Sequence, residues 1–246
     1  MTADLHGKVV WITGGARGLG RALSLGFARE GADIAFSFHQ SVREAKQTES
    51  DVRAFGVRCA SVKADLARME DIRSAAREID ERLGRIDVLI NNAGVFERTP
   101  IDEMTESQFD RMLGVNLKAT FFTSQEVARR MKQGVEGSIL NISSVGGLVP
   151  WSGYPLYCAS KAGVQMATRT LALALAPRIR VNSIAPGILT VPENMEAEEV
   201  ERLKESIPMG EFGRFGDVVD AALFLTKQGR YITGETLVVD GGRKLK

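Results

Sequence analysis

The sequence predicts an α/β fold, a doubly wound parallel sheet of about seven strands with helices on both faces, on three observations. First, short apolar, β-branched runs recur along the chain: Val9 to Ile12, Ile34 to Phe38, Val57 to Val62, Ile86 to Ile90, Ser138 to Ile142, Val181 to Ile184 and Thr236 to Val239. Second, segments of helical period separate them. Third, the runs lack clean alternation, as strands covered on both faces do. No Pro-, Ser- or Gly-rich linker, repeat or low-complexity stretch divides the chain. A single domain over residues 1–246 is expected, with a mobile substrate loop at about 187–208.

Each helix should present one apolar stripe. In the first, Leu19, Ala22, Leu23, Gly26 and Phe27 fall at i, i+3, i+4, i+7 and i+8, and Gly31 follows where a C′ glycine closes a helix. Further amphipathic segments run from about Gln108 to Arg130 and from Leu156 to Ala176.

Composition excludes several function classes. Hydrophobic residues are 44% and charged residues 26% of the chain, values of a self-folding globular protein. Lys plus Arg number 32 against 31 for Asp plus Glu, leaving no positive field to hold a phosphate backbone, so nucleic acid is not an expected partner. The N-terminus has no basic stretch, apolar core or cleavage site, and the longest helical apolar run, Leu171 to Ala176, is far below the roughly 20 residues of a membrane span. A cytoplasmic protein with no membrane partner is expected. Cys59 and Cys158 are too few for a disulfide framework and lack Cys or His neighbours at ligand spacing, so both read as small buried hydrophobes and no metal is expected.

The junction after the first strand reads Thr13-Gly14-Gly15-Ala16-Arg17-Gly18-Leu19-Gly20. Glycines there permit a tight turn and let a pyrophosphate approach the N–H groups of a helix N-terminus. Such a pattern alone suits a packing turn equally well; its place in the first strand–helix unit favours a dinucleotide and a Rossmann-type sheet. An acid ending the second strand would take the ribose hydroxyls of NAD, but that strand ends Ser37-Phe38-His39. Arg17 and His39, with Arg43 nearby, can instead donate to a 2′-phosphate, so NADP(H) is favoured over NAD(H).

Tyr157-Cys158-Ala159-Ser160-Lys161 opens a helical segment, which puts Tyr157 and Lys161 on one face a turn apart. A phenol ionises near pH 10 and serves as an acid-base at neutrality only if a cation favours its phenolate, a role Lys161 is placed to fill.

These motifs together resemble the classical short-chain dehydrogenase/reductase family, over essentially the whole chain. Thr13 to Gly20 is similar to its cofactor loop, Asn91-Asn92-Ala93-Gly94 to the end of its fourth strand, and Tyr157 with Lys161 to its catalytic pair. Ser144, thirteen residues before Tyr157, stands where the family places a catalytic serine, with Ser143 the alternative. Asn116 resembles the asparagine that completes the tetrad. The resemblance implies that Tyr157 protonates a carbonyl oxygen, Ser144 hydrogen-bonds it, Lys161 grips the nicotinamide ribose, and Asn116 holds a water relay. It implies cofactor contacts from Gly14, Ala16, Arg17, Gly18, Leu19, Gly20, Phe38, His39, Asp65, Leu66, Asn92, Ala93, Gly94, Pro186, Gly187 and Ile188. An N-cap is the competing reading of Asp65. A homotetramer or homodimer is also implied, with the segments from about Gln108 to Arg130 and from Leu156 to Ala176 as its subunit contacts.

Substrate choice should lie in loops at about Val145 to Pro155 and Ile188 to Pro208, with Val149, Pro150, Trp151 and Leu156 as an apolar wall. The chain looks most like the 3-oxoacyl-acyl-carrier-protein reductase branch at Ile207-Pro208-Met209-Gly210, although Val135 stands where that branch carries an arginine for the carrier. Pteridine reductases are resembled at Phe38-His39-Gln40-Ser41, but Gly18 stands where they carry arginine. A carbonyl substrate is ranked first; sugar or steroid alcohols are alternatives, and a non-catalytic dinucleotide-binding sensor is the alternative of another class. The acidic stretch from Glu193 to Glu205 reads as a solvated helix face.

Overall fold

The computed structural model describes residues 4–131, 136–191 and 195–246; Val135 and Glu193 lie outside them. The seven strands are β1 (Val9–Thr13), β2 (Asp33–Phe38), β3 (Cys59–Lys63), β4 (Val88–Asn91), β5 (Gly137–Ile142), β6 (Ile179–Pro186) and β7 (Thr236–Val239). They form one parallel sheet in the order β3-β2-β1-β4-β5-β6-β7. The helices are α1 (Gly18–Arg29), α2 (Val42–Arg53), α3 (Met69–Leu83), α4 (Glu106–Leu113), α5 (Ala119–Arg130), α6 (Pro155–Leu175), α7 (Ala197–Glu205) and α8 (Phe215–Lys227).

Alternation along β1 divides the core in two. Val10 and Ile12 join Phe27, Ile34, Phe36 and Val218 on the face covered by α1 and α8. Val9 and Trp11 join Ile72, Ile79, Leu89, Val127 and Ile139 on the face covered by α3 and α5. Both faces of the strand are therefore buried, which is why these runs are apolar throughout. Leu23 and Phe27 carry the stripe of α1, and Gly26 lets α8 approach, since a Cβ there would stand 2.4 Å from Val219 Cγ1. Gly31, at φ +84°, closes the helix as expected. Carbonyls at the end of α8 are satisfied by Arg180, which donates to Leu225 O and Thr226 O, and to Gly229 O just beyond the helix, at 2.8–3.1 Å.

Some expectations are corrected. Pairing in β3 starts at Cys59 and in β4 at Val88, because Val57 and Ile86 are apolar through packing against the two cores just ahead of the ladder. Cys158 is only half-buried, unlike Cys59, whose thiol burial pushes up to about 12. The segment from Gln108 to Arg130 is not one regular helix: residues Gly114–Lys118 form a wider π turn between α4 and α5. Glu198, Glu199, Glu201 and Glu205 of α7 are exposed, as a solvated face should be. Among the described residues no helix is long and apolar enough to cross a membrane.

Candidate active site

Strand order reverses between β1 and β4, so the loops leaving their carboxyl ends diverge and open a crevice. Side chains latch the two ends together. Thr13 Oγ1 accepts from the N–H groups of Asn92 and Ala93, each at 2.9 Å, while Asn92 Nδ2 donates to Thr13 O at 2.9 Å. Nothing local in the sequence marks Thr13 for this task.

The glycine loop fits tightly onto that latch. Gly14 turns at φ +66°, and a Cβ on Gly20 would stand 2.1 Å from Gly14 O and 2.6 Å from Asn92 Nδ2. α1 begins without a side-chain cap and has no acid in its first turn, leaving backbone N–H groups and positive dipole to an anion.

The crevice encloses about 970 Å³ and is lined by Gly14, Ala16, Arg17, Gly18, Leu19, Gly20, Phe38, His39, Asp65, Leu66, Asn92, Ala93 and Gly94, all expected at a cofactor. Ser37, Gln40, Ser41, Glu44 and Arg111 line it unexpectedly. The buried Ser37 hydroxyl has no hydrogen-bond partner. A loop only glycine can form, an uncapped helix and an orphaned hydroxyl together fit a dinucleotide. Asp65 does not cap α3: the cap position is Arg68, and Asp65 Oδ1 instead accepts from Ala67 N within its own turn, at 3.1 Å. Pro186, Gly187 and Ile188 do not line the crevice: Pro186 ends β6 opposite Val239 of β7, and Gly187 and Ile188 follow it, with Gly187 N donating to Val239 O at 2.9 Å.

Pro155 occupies the first turn of α6 and fixes its start, placing Tyr157 and Lys161 one turn apart. Lys161 is buried, donates to Ile142 O at 2.9 Å, and sits 5.8 Å from the Tyr157 ring centroid. A Cβ on Gly94 would lie 3.6 Å from Lys161 Nζ, so the lysine abuts the inner wall of the crevice. Ser143 and Ser144 separate cleanly. The Ser143 hydroxyl donates to Lys161 O and accepts from Gln165 Nε2, which ties β5 to α6. Ser144 Oγ accepts from Gly146 N at 3.0 Å, and its hydroxyl acts on the Tyr157 phenol in the sense that favours the phenolate.

Burial raises the Tyr157 phenol above its ordinary range, with the Ser144 bond pulling the other way. Burial also lowers Lys161 to about 8. In the protein alone desolvation outweighs the Ser144 contribution, so the net shift of the phenol is upward.

Asn116 lies in the π turn, a widening often found at functional sites. Its Oδ1 accepts from Val95 N at 2.8 Å, and its Nδ2 donates to Val95 O and Ser160 Oγ, each at 3.0 Å. Ser160 Oγ in turn donates to Tyr157 O at 2.7 Å, a link the sequence did not suggest.

Aromatic rings surround the phenol. Phe96 meets Tyr157 edge-on and stacks on Tyr154, both at 4.7 Å, while Trp151 stacks on Tyr157 at 6.0 Å. Of the expected apolar wall, Trp151 faces Tyr157 but Leu156 is buried; Phe96 and Tyr154 were not anticipated.

A family model described as Enoyl-(Acyl carrier protein) reductase matches residues 14–244. The chain is 36% identical to 3beta-hydroxysteroid dehydrogenase 1 of Eggerthella lenta, covering 100% of this chain and 97% of that one. It is 34% identical to the 3-oxoacyl-acyl-carrier-protein reductase FabG of Staphylococcus aureus, covering 96% and 97%. Among solved structures it is similar to a short-chain dehydrogenase/reductase from Serratia marcescens, with TM-score 0.92, 35% identity, and 98% and 100% of the two chains covered. A blue fluorescent protein from a metagenomic library, in complex with NADPH, superposes with TM-score 0.91 at 34% identity over 98% and 99% of the chains. The chain belongs to the short-chain dehydrogenase/reductase family and is an oxidoreductase.

Proposed function

We propose that this oxidoreductase uses NADP(H) to reduce a ketone or 3-oxoacyl carbonyl to a secondary alcohol, with Tyr157 as general acid. The carrying observation is the position of the phenol–lysine pair: Lys161 Nζ lies against Gly94 at the inner wall of the glycine-loop crevice and 5.8 Å from the Tyr157 ring centroid. The nicotinamide, when bound, supplies the hydride. Tyr157 O–H gives its proton to the carbonyl oxygen, and Ser144 donates a hydrogen bond where alkoxide charge develops. Lys161, protonated below about pH 8, favours the phenolate left behind and lies within reach of a ribose on the Gly94 side. Asn116 fixes Val95 and, through Ser160, the first turn of α6.

NADP(H) is favoured because no acid ends β2, while Arg17 and His39 stand on the crevice wall; Glu44 is the nearby acid that counts the other way. Asp65 and Leu66 suit the adenine end, and Pro186, Gly187 and Ile188 the nicotinamide side. We read one domain, with 187–208 as the substrate segment. The name of the Eggerthella lenta relative makes hydroxysteroids a second substrate class worth assay. A cytoplasmic homotetramer suits the exposed apolar side chains Phe109, Phe121, Met166 and Leu173 along α4 to α6.

The test compares wild type and Tyr157→Phe by NADPH consumed with ketones, 3-oxoacyl thioesters, quinones and pterins, and by NADPH formed with hydroxysteroids and NADP⁺. A loss of roughly 10²- to 10⁴-fold in the variant is expected. Equal rates overturn the role of Tyr157, and binding without turnover by wild type favours a nucleotide sensor.

A further inference from the structure

The aromatic group beside Tyr157 ends in a cation that the reduction above does not use. Arg243 begins the short turn Arg243–Leu245 after β7, and its guanidinium carbon lies 5.2 Å from the Trp151 ring centroid. That ring stacks on Tyr157 with 17° between planes. The charge therefore stands one aromatic ring away from the phenol.

The turn that presents it is rigidly built. The Asp240 carboxylate accepts from Gly242 N at 2.9 Å and Lys244 N at 2.8 Å, so its oxygens serve the backbone on either side of Arg243. A Cβ on Gly241 would stand 2.8 Å from Ile207, and one on Gly242 3.0 Å from Pro208, which seats the turn against the end of the substrate segment. Among the described residues no carboxylate forms an ion pair with the Arg243 guanidinium. Partial burial lowers its pKa from the ordinary arginine value, and the field of Asp240 acts in the opposite sense. A guanidinium stacked on indole keeps its edge N–H groups free, and that planar fork matches a carboxylate. Phe96, stacked on Tyr154, is still 60% exposed and offers a flat apolar surface on the same side of the site.

Building on the reduction proposed above, we infer that the substrate is an oxo acid: the carbonyl is held by Tyr157 and Ser144, a flat apolar body rests on Phe96 and Trp151, and a carboxylate binds Arg243. One guanidinium balances one carboxylate. The inference narrows the carbonyl class and assigns Arg243 to specificity, not to the proton transfer.

The experiment uses aryl oxo acids and their methyl esters as matched pairs, with NADPH, on wild type, Arg243→Gln and Arg243→Lys. The readout is the ratio of kcat/KM for acid over ester within each protein, which cancels any loss of folded enzyme. Wild type should prefer the acid, Arg243→Gln should reduce that preference by about 10- to 100-fold, mainly through KM, and Arg243→Lys should restore part of it. A ratio unchanged in Arg243→Gln overturns the inference even if Tyr157→Phe is inactive, so the two readings fail separately. Calorimetry of the same acids and esters with Tyr157→Phe and NADP⁺ judges Arg243 without turnover. Equal affinity for acid and ester there also overturns it.

Discussion

Asn116 holds Val95 by both of its backbone groups, accepting from the N–H at 2.8 Å and donating to the carbonyl at 3.0 Å. Two segments are joined by this clasp: the strand-β4 exit that walls the crevice, and the π turn between α4 and α5. Asn116→Ala leaves the Val95 pair and the Ser160 hydroxyl short of a partner. Its stability to urea should fall by about 1–3 kcal/mol, the cost of unsatisfied buried polar groups. Turnover should fall as well, because the first turn of α6 loses its tie through Ser160. An unchanged urea midpoint would refute the clasp.

Gly20 is fixed by contact rather than by dihedral angle. An added methyl group would stand 2.1 Å from Gly14 O and 2.6 Å from the Asn92 amide, both parts of the latch. Gly20→Ala should therefore lose NADPH binding, read by fluorescence titration, with at least a tenfold rise in Kd. Gly18→Ala is the contrast: no atom lies within 4 Å of its Cβ, and its φ of +54° makes the penalty one of backbone strain, about 1 kcal/mol.

Lys161 gives a pH test with a definite sign. Its folded pKa of about 8 lies below the ordinary 10.5, so between these values the unfolded chain binds more protons than the folded one. Stability should rise as pH climbs from about 8 towards 10, and the burden of the buried charge, on the order of 3 kcal/mol, is fully present below pH 8. Lys161→Met should lack this rise when urea midpoints are compared across pH. Turnover should move the opposite way, falling above pH 8 as the ammonium is lost.

Arg17 is exposed on the crevice wall and His39 follows β2, so neither is needed for folding. Arg17→Ala should raise KM for NADPH by about 10-fold while changing KM for NADH far less, as the loss of a charge-assisted bond to a phosphate predicts. Equal effects on both coenzymes would assign Arg17 to the shared pyrophosphate instead.

How much of this was legible in sequence follows the range of each interaction. The seven strands could be read because a strand covered on both faces must be apolar throughout, as Val9 to Ile12 is. Gly20 was legible because only one residue type fits its place, and Tyr157 with Lys161 because one helical turn brings them together. Thr13 with Asn92, Asn116 with Ser160, and Trp151 with Arg243 join parts of the chain far apart, and no local pattern announces them. The π turn was hidden for a related reason. Gly114-Val115-Asn116-Leu117-Lys118 reads as ordinary helix, and what sustains its widening is the tertiary clasp of Asn116 together with the Thr120 hydroxyl bonding Asn116 O at 2.9 Å.

That widened turn also governs how the chain can change in length. It winds in one residue more than a regular helix would use. Removing one of the five would restore a regular helix and leave the residues on either side near their present places, so Val127 would stay enclosed beneath the sheet. The loss would fall inside the turn, on the grip of Asn116 on Val95 and Ser160. A one-residue gap there would thus spare the scaffold and undo the fastening.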